Sequence, residues 1–178
     1  MSERLIAELG RLAEELARDA DPNGSANLAR VAEHIAKGFD VKPDEVAILA
    51  FVAQDKVLKF VVPEKLQTVG TIPMTSATAL AVRTARDKKP EAVNNFAATR
   101  HASVFEGVPI GRRHGELIHK IMSAPILLDG KLAGVVQISR KGRTPADAGP
   151  DFTAKDVREL TQVAGALGQF LKLWQVAK

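Results

Sequence analysis

The chain has 178 residues, 46% of them hydrophobic and 26% charged, which is the make-up of a globular protein of about one domain rather than of a disordered or collagen-like chain. It contains no cysteine, so disulfides, zinc-thiolate sites, thiol nucleophiles and cofactors attached through a thioether are excluded, while a noncovalent small molecule is not. The net charge of +4 is mild, and no apolar run approaches the roughly 20 residues of a membrane-spanning helix. The N-terminus lacks the blocks of a signal peptide, so a cytoplasmic location with no membrane partner is expected.

In chain order, Leu5, Leu9, Leu12 and Leu16 place an apolar stripe on an opening helix over residues 1–20, stopped at Asp21-Pro22. Ser25 reads as the N-cap of a second helix carrying Leu28, Val31 and Ile35 inward, with Gly38 as its end. Val46–Ala53 is apolar at both parities and predicts a central strand covered on both faces; Val57–Val62 is its hairpin partner, closed by Pro63. Gly70–Thr75 reads as a short strand, Ser76 as the cap of a helix to about Lys88, and Glu91–Asn94 as another short strand.

Asn95–Lys120 has weak periodicity and is expected to be a long loop. The sheet resumes at Ile121–Leu128, turns on Asp129-Gly130 and returns through Lys131–Ser139, a strong hairpin signal because both turn residues accept positive φ. Lys141–Asp151 reads as a polar loop. Thr153 and Asp156 then form a capping box, with Phe152 stapled to Val157, at the start of a final helix over 153–177. That helix carries two apolar stripes, one through Val157, Leu160, Ala164, Leu167, Leu171 and Trp174, the other through Val163, Ala166, Phe170 and Leu173. One stripe is expected on the sheet, the other on the first helix or on a second subunit, which is the motive for expecting a homodimer through the terminal helices.

The order of elements, together with Thr84–Asn95, the Ser123-Ala124-Pro125-Ile126 to Asp129-Gly130 and Gly134-Val135-Val136 hairpin, and the Phe152, Thr153, Asp156 helix start, resembles the GAF domain family, a sensory fold related to PAS domains. The resemblance covers about Asn23 to Leu171 and implies an α/β (α+β) architecture. It implies an antiparallel sheet with terminal helices on one face and a loop and helix lid over a ligand pocket on the other, in one domain spanning 1–178 with its core at 23–171. Against the Asn-Lys, Phe, Asp-Glu motif of cyclic-nucleotide-binding members, Lys141, Phe152 and Asp156 match while Arg140 and Val157 depart. The three matches also have a structural explanation in a Lys141–Asp156 pair and the Phe152 staple. Relatives that reduce free methionine sulfoxide use cysteines, which this chain lacks.

The implied pocket brings the basic segment into view: Arg100, His101, Arg112, Arg113, His114, His119 and Lys120 face only Glu106 and Glu116 in number. Guanidinium groups bind phosphate or carboxylate in bidentate fashion, so an anion-recognising lid is one reading; a solvated basic loop is the other. Thr75, Ser76, Phe105, Met74 and Met122 are candidate pocket residues, each also suited to packing. His114 and His119 are five apart and do not share a helix face, so no metal site is expected. Gly107, Gly111 and Gly115 match no phosphate-binding motif and read as hinges, and no nucleophile elbow or paired-carboxylate signature supports catalysis. The scattered lysines and arginines carry no nucleic-acid-binding signature. The expectation is a small-molecule sensor without catalytic activity, its ligand anionic or nucleotide-like, signalling to a separate effector protein. The alternatives are a ligand-free dimerisation module and, third, an enzyme whose titratable groups converge in the pocket.

Overall fold

The computed structural model describes residues 2–18, 25–68, 71–96 and 117–177. The chain opens with α1 (Ser2–Arg18) and α2 (Ser25–Phe39). Leu5 and Leu9 are buried on α1, and Val31, Ile35 and Phe39 on α2, as their helical spacing requires. The side chains of Leu12, Leu16, Ser25, Leu28, Leu173 and Trp174 lie outside the described ones. The end of α2 differs from expectation: the left-handed residue that terminates it is Asp40 (φ 55°), and Val41 N donates to Ala36 O at 3.0 Å. Gly38 serves packing instead, because a Cβ there would lie 2.9 Å from Leu5 Cδ2, at the crossing of α1 over α2.

A single 3-10 turn (Pro43–Glu45) leads into a six-stranded antiparallel sheet in the order β3-β2-β1-β6-β5-β4. Its strands are β1 (Val46–Val52), β2 (Val57–Val62), β3 (Thr71–Pro73), β4 (Glu91–Val93), β5 (Leu117–Leu128) and β6 (Lys131–Gly142). β1 sits in the middle with Val46–Ala50 fully buried, which is why its sequence is apolar at both parities. The β5–β6 turn has Asp129 at φ 54° and Gly130 at φ 79°, the two-residue geometry that matches strand twist. Pro125 is tolerated within β5 because β4 pairs only with Ile121–Ser123, so one edge of β5 is free of a ladder at that point.

α3 (Leu80–Asp87) covers one face of the sheet; α1, α2 and the long α5 (Ala154–Ala177) cover the other. A short α4 (Pro145–Ala148) joins β6 to α5. Two details of this region depart from the sequence reading. Lys141–Asp151 is not wholly loop, since β6 runs on to Gly142 and Thr144 caps α4 by accepting from Asp147 N at 3.1 Å. Nor does Ser76 cap α3: its Oγ accepts from Ala79 N at 3.2 Å, shaping the turn before a helix whose own N-cap is Ala79.

The capping box of α5 is as expected, with Thr153 N donating to Asp156 Oδ2 at 2.8 Å and Asp156 N to Thr153 Oγ1 at 3.2 Å. Both of its apolar stripes are buried within the same chain: Leu160, Val163, Ala164, Leu167, Phe170 and Leu171 join Leu5 and Leu9 of α1 and Ala124 and Ile126 of β5 in one core. The N-terminal helix thus takes the second stripe, as far as the described side chains reach. No helix among the described residues is long and apolar enough to cross a membrane.

Candidate functional site

The sheet separates two cores. On the α1/α2/α5 side lie Val46, Ile48, Ala50, Ala124, Ile126, Val136 and Ile138; on the α3 side lie Ala47, Leu49, Leu58, Phe60, Ile121 and Val135, with Leu80, Val82 and Ala85 of α3 and Phe96 above them. The alternation of β5 and β6 therefore directs Ser123 and Gln137, a cross-strand pair, to the α3 side. Both are buried, as is Thr84 of α3.

These three groups form one hydrogen-bonded chain. Gln137 Nε2 donates to Ser123 Oγ at 3.2 Å, Ser123 and Thr84 share a hydroxyl contact at 2.7 Å, and Thr84 Oγ1 lies 3.0 Å from Leu80 O. Each hydroxyl has one proton, so the direction that satisfies every member runs from Gln137 to Ser123, from Ser123 to Thr84, and from Thr84 to the Leu80 carbonyl. A polar chain inside a face otherwise lined with Val, Leu, Ile and Phe supplies hydroxyl and amide groups where the apolar neighbours supply none. Arg83 fixes α3 over this face through a two-pronged contact to Glu91 of β4 at 2.8 and 3.0 Å.

A second constellation joins the sheet to the start of α5. The Asn94 amide grips the Phe152 backbone on both sides, donating to its carbonyl at 3.0 Å and accepting from its N–H at 2.8 Å. Arg140 donates to Pro150 O at 2.7 Å and Phe39 O at 3.2 Å, and its guanidinium carbon lies 4.4 Å from the centre of the Phe152 ring. Lys120 Nζ bonds the Gly149 carbonyl and pairs with Asp151 Oδ1 at 3.0 Å. Below them the buried Glu45 carboxylate accepts from Lys42 N at 2.9 Å and Lys141 N at 2.7 Å, and Lys141 Nζ donates to Asp44 O at 3.1 Å. Thus β4, β5 and β6 are each tied to residues 149–152, while Lys141 and Glu45 anchor β6 to the turn before β1.

Of the residues expected to bind ligand, Arg100, His101, Phe105, Arg112, Arg113 and His114 lie outside the described residues, as do Glu106, Gly107, Gly111, Gly115 and Glu116. His119 and Lys120 are not in a loop: both are buried in β5, which starts at Leu117, and His119 Nε2 contacts Gly142 O across the ladder at 2.9 Å. Their polarity hid the strand, and the register skips between Ile118 and Lys120, so the bulge breaks the alternation as well. Met122 is no wall of the α3-side face, because it points into the opposite core beside Ile138 and Ala92. Thr75 is exposed and Ser76 half-buried beyond β3, which is separated from β5 by three strands.

Thr84, Ser123 and Gln137 escaped the sequence reading because their proximity depends on register. Counting outward from the Asp129-Gly130 turn without a break sets Ser123 opposite Val136; a skip between Ile126 and Leu127 brings Gln137 there instead. The signal available in sequence was the presence of Ser and Gln inside two apolar strands.

Known structures share the fold. The chain is similar in structure to the GAF domain of a phosphoenolpyruvate-protein phosphotransferase from Acinetobacter, with a TM-score of 0.66 at 12% identity over 99% of this chain and 98% of that one. The corresponding GAF domain from Coxiella burnetii gives a TM-score of 0.66 at 13% identity, covering 98% and 96%. A free methionine-R-sulfoxide reductase from Neisseria meningitidis, in complex with its substrate, gives 0.62 at 17% identity, covering 96% and 89%. At such identities the likeness is one of fold. No curated protein matches the chain. The sequence model of the GAF domain matches residues 24–171, the region that holds both the polar chain and the tie to α5, and the protein belongs to the GAF domain family.

Proposed function

We propose that this GAF domain senses a small molecule without transforming it, binding it on the α3 side of the sheet and passing the signal to the terminal helices. The observation that carries this reading is the buried chain of Gln137, Ser123 and Thr84, a set of donors and acceptors with no ionisable member. Such groups orient a ligand through hydrogen bonds and offer neither a nucleophile activated by a base nor a general acid. The chain also has no cysteine from which to form a thiolate.

The route outward follows the contacts. A ligand that shifts β5 or β4 changes the position of Lys120 or Asn94, and both hold residues 149–152 at the entrance to α5. Ligand binding moves that equilibrium only by the difference in its affinity for the two positions. An anionic or nucleotide-like ligand is the favoured class through the basic residues between β4 and β5 in the sequence.

The test is to incubate the protein with a whole-cell metabolite extract and record native mass spectra of wild type and of a Thr84→Val, Ser123→Ala, Gln137→Leu variant. The expected result is a retained, noncovalent small mass on the wild type that the variant loses. A bare wild-type mass, or equal retention by both, contradicts the reading.

A further inference from the structure

At the end of the sheet far from the Phe152 tie, a groove of about 800 Å³ opens between the β1–β2 and β5–β6 hairpins and the C-terminal half of α5. Its apolar lining includes Val52 and Leu128, both half-buried, with Leu128 beside Gly168 of α5, while Phe51 and Leu132 at its border turn toward the α3-side core. Around this floor stand three lysines on three different elements: Lys59 on β2, Lys131 at the start of β6 and Lys172 on α5. None of the three ammonium groups has a hydrogen-bond or ion-pair partner among the described residues, and one carboxylate, Asp129, is present among the lining side chains.

This arrangement differs from an ordinary solvated lysine surface in two respects. Three lysines and one carboxylate line one concavity, a net positive charge that low-dielectric walls focus and that raises the local concentration of anions. The concavity also has an aliphatic floor in Val52 and Leu128, which a simple inorganic anion would leave wetted. We propose that the groove is a second binding site, separate from the α3-side face, for a small anionic amphiphile. In it a carboxylate or phosphate meets Lys59, Lys131 and Lys172, and an apolar body of the ligand covers Val52 and Leu128. The volume falls within the roughly 300–1,000 Å³ of small-molecule sites. Because Lys172 belongs to α5 and the other two lysines to the sheet, an occupant bridges the C-terminal helix to the hairpins at the end opposite Asn94 and Phe152.

The probes are 8-anilinonaphthalene-1-sulfonate and decanoate, one aromatic and one aliphatic anion, followed by backbone amide shifts of the intact protein. Saturable binding is expected, with shifts gathered at Gln54, Asp129 and Leu132. Substituting Lys59→Gln, Lys131→Gln and Lys172→Gln together is expected to weaken it by about tenfold or more, as is raising the salt to about 1 M. Lys131→Gln with Lys172→Gln, both at exposed positions, provides a variant whose fold is not at risk and should give an intermediate loss. Absence of saturable binding overturns the proposal, as does affinity unchanged in the triple variant. Shifts gathered at Thr84 and Ser123 would overturn it too, while leaving the α3-side reading intact.

Discussion

Between the sheet and α1, α2 and α5 the core is built from apolar side chains, from Leu5 to Leu171, whereas the face under α3 admits Thr84, Ser123 and Gln137 into its interior. The first face gains from close packing alone, at about 25 cal/mol for each Å² removed from water. On the second face each polar group costs desolvation that its hydrogen bonds offset without much surplus, because a typical net contribution is only about 1 kcal/mol. On the proposed reading, the helix side supplies stability alone, and the α3 side adds ligand specificity to its own apolar packing.

Substitutions put that contrast to the test. The largest effect is expected at the junction of sheet and helices: a Cβ on Gly134 would stand 2.1 Å from Leu49 O and 2.8 Å from Leu171 Cδ1. Gly134→Ala must push β6 from β1, and a loss of about 3 kcal/mol or more in chemical denaturation is expected. Next comes Leu167→Ala, which empties a fully buried site on α5 and should cost about 2–5 kcal/mol. A cost below about 1 kcal/mol there would deny the helix side its role.

The α3 side should respond differently. Ser123→Ala alone removes the link between Gln137 and Thr84 and is expected to cost about 1–3 kcal/mol, since it leaves a buried amide without its acceptor. Replacing all three members with Val, Ala and Leu removes both sides of each bond, and denaturation should then lie within about 1 kcal/mol of wild type. That non-additivity is the signature of a polar chain retained for something other than stability. The smallest effect is a gain: Gly165 sits exposed on α5, and a methyl group there would meet nothing within 4 Å, so Gly165→Ala should stabilise by about 0.5–1 kcal/mol in the same assay.

Whatever is decided locally was legible in the sequence. Asp129-Gly130 announced its hairpin because positive φ at two successive residues suits few others, and Thr153 with Asp156 announced the start of α5 through reciprocal bonds three residues apart. The continuous apolar run of β1 announced a strand with both faces covered. What was hidden depends on long-range register or on competing roles. Pro145 in a Gly- and Pro-bearing stretch masked α4, although proline at a first helical turn is favourable when Thr144 caps it. The bulge near His119 and the skip after Ile126 moved side chains to faces that simple alternation does not give. Asn94, whose amide reaches Phe152 fifty-eight positions away, left no local trace at all.

The tie through Asn94, Lys120 and Arg140 joins the sheet to the segment that enters α5, and the coupling proposed for it can be measured. Amide hydrogen exchange should be compared between the protein before and after exposure to a metabolite extract. A coupled change is expected: slower exchange in α3 and at the centre of β5, together with altered exchange at the start of α5, and loss of the α5 response alone in Asn94→Ala. Exchange that is unchanged on the α3 side, or an α5 response that persists in full without the Asn94 amide, would contradict a signal passed from the α3 face to the helices.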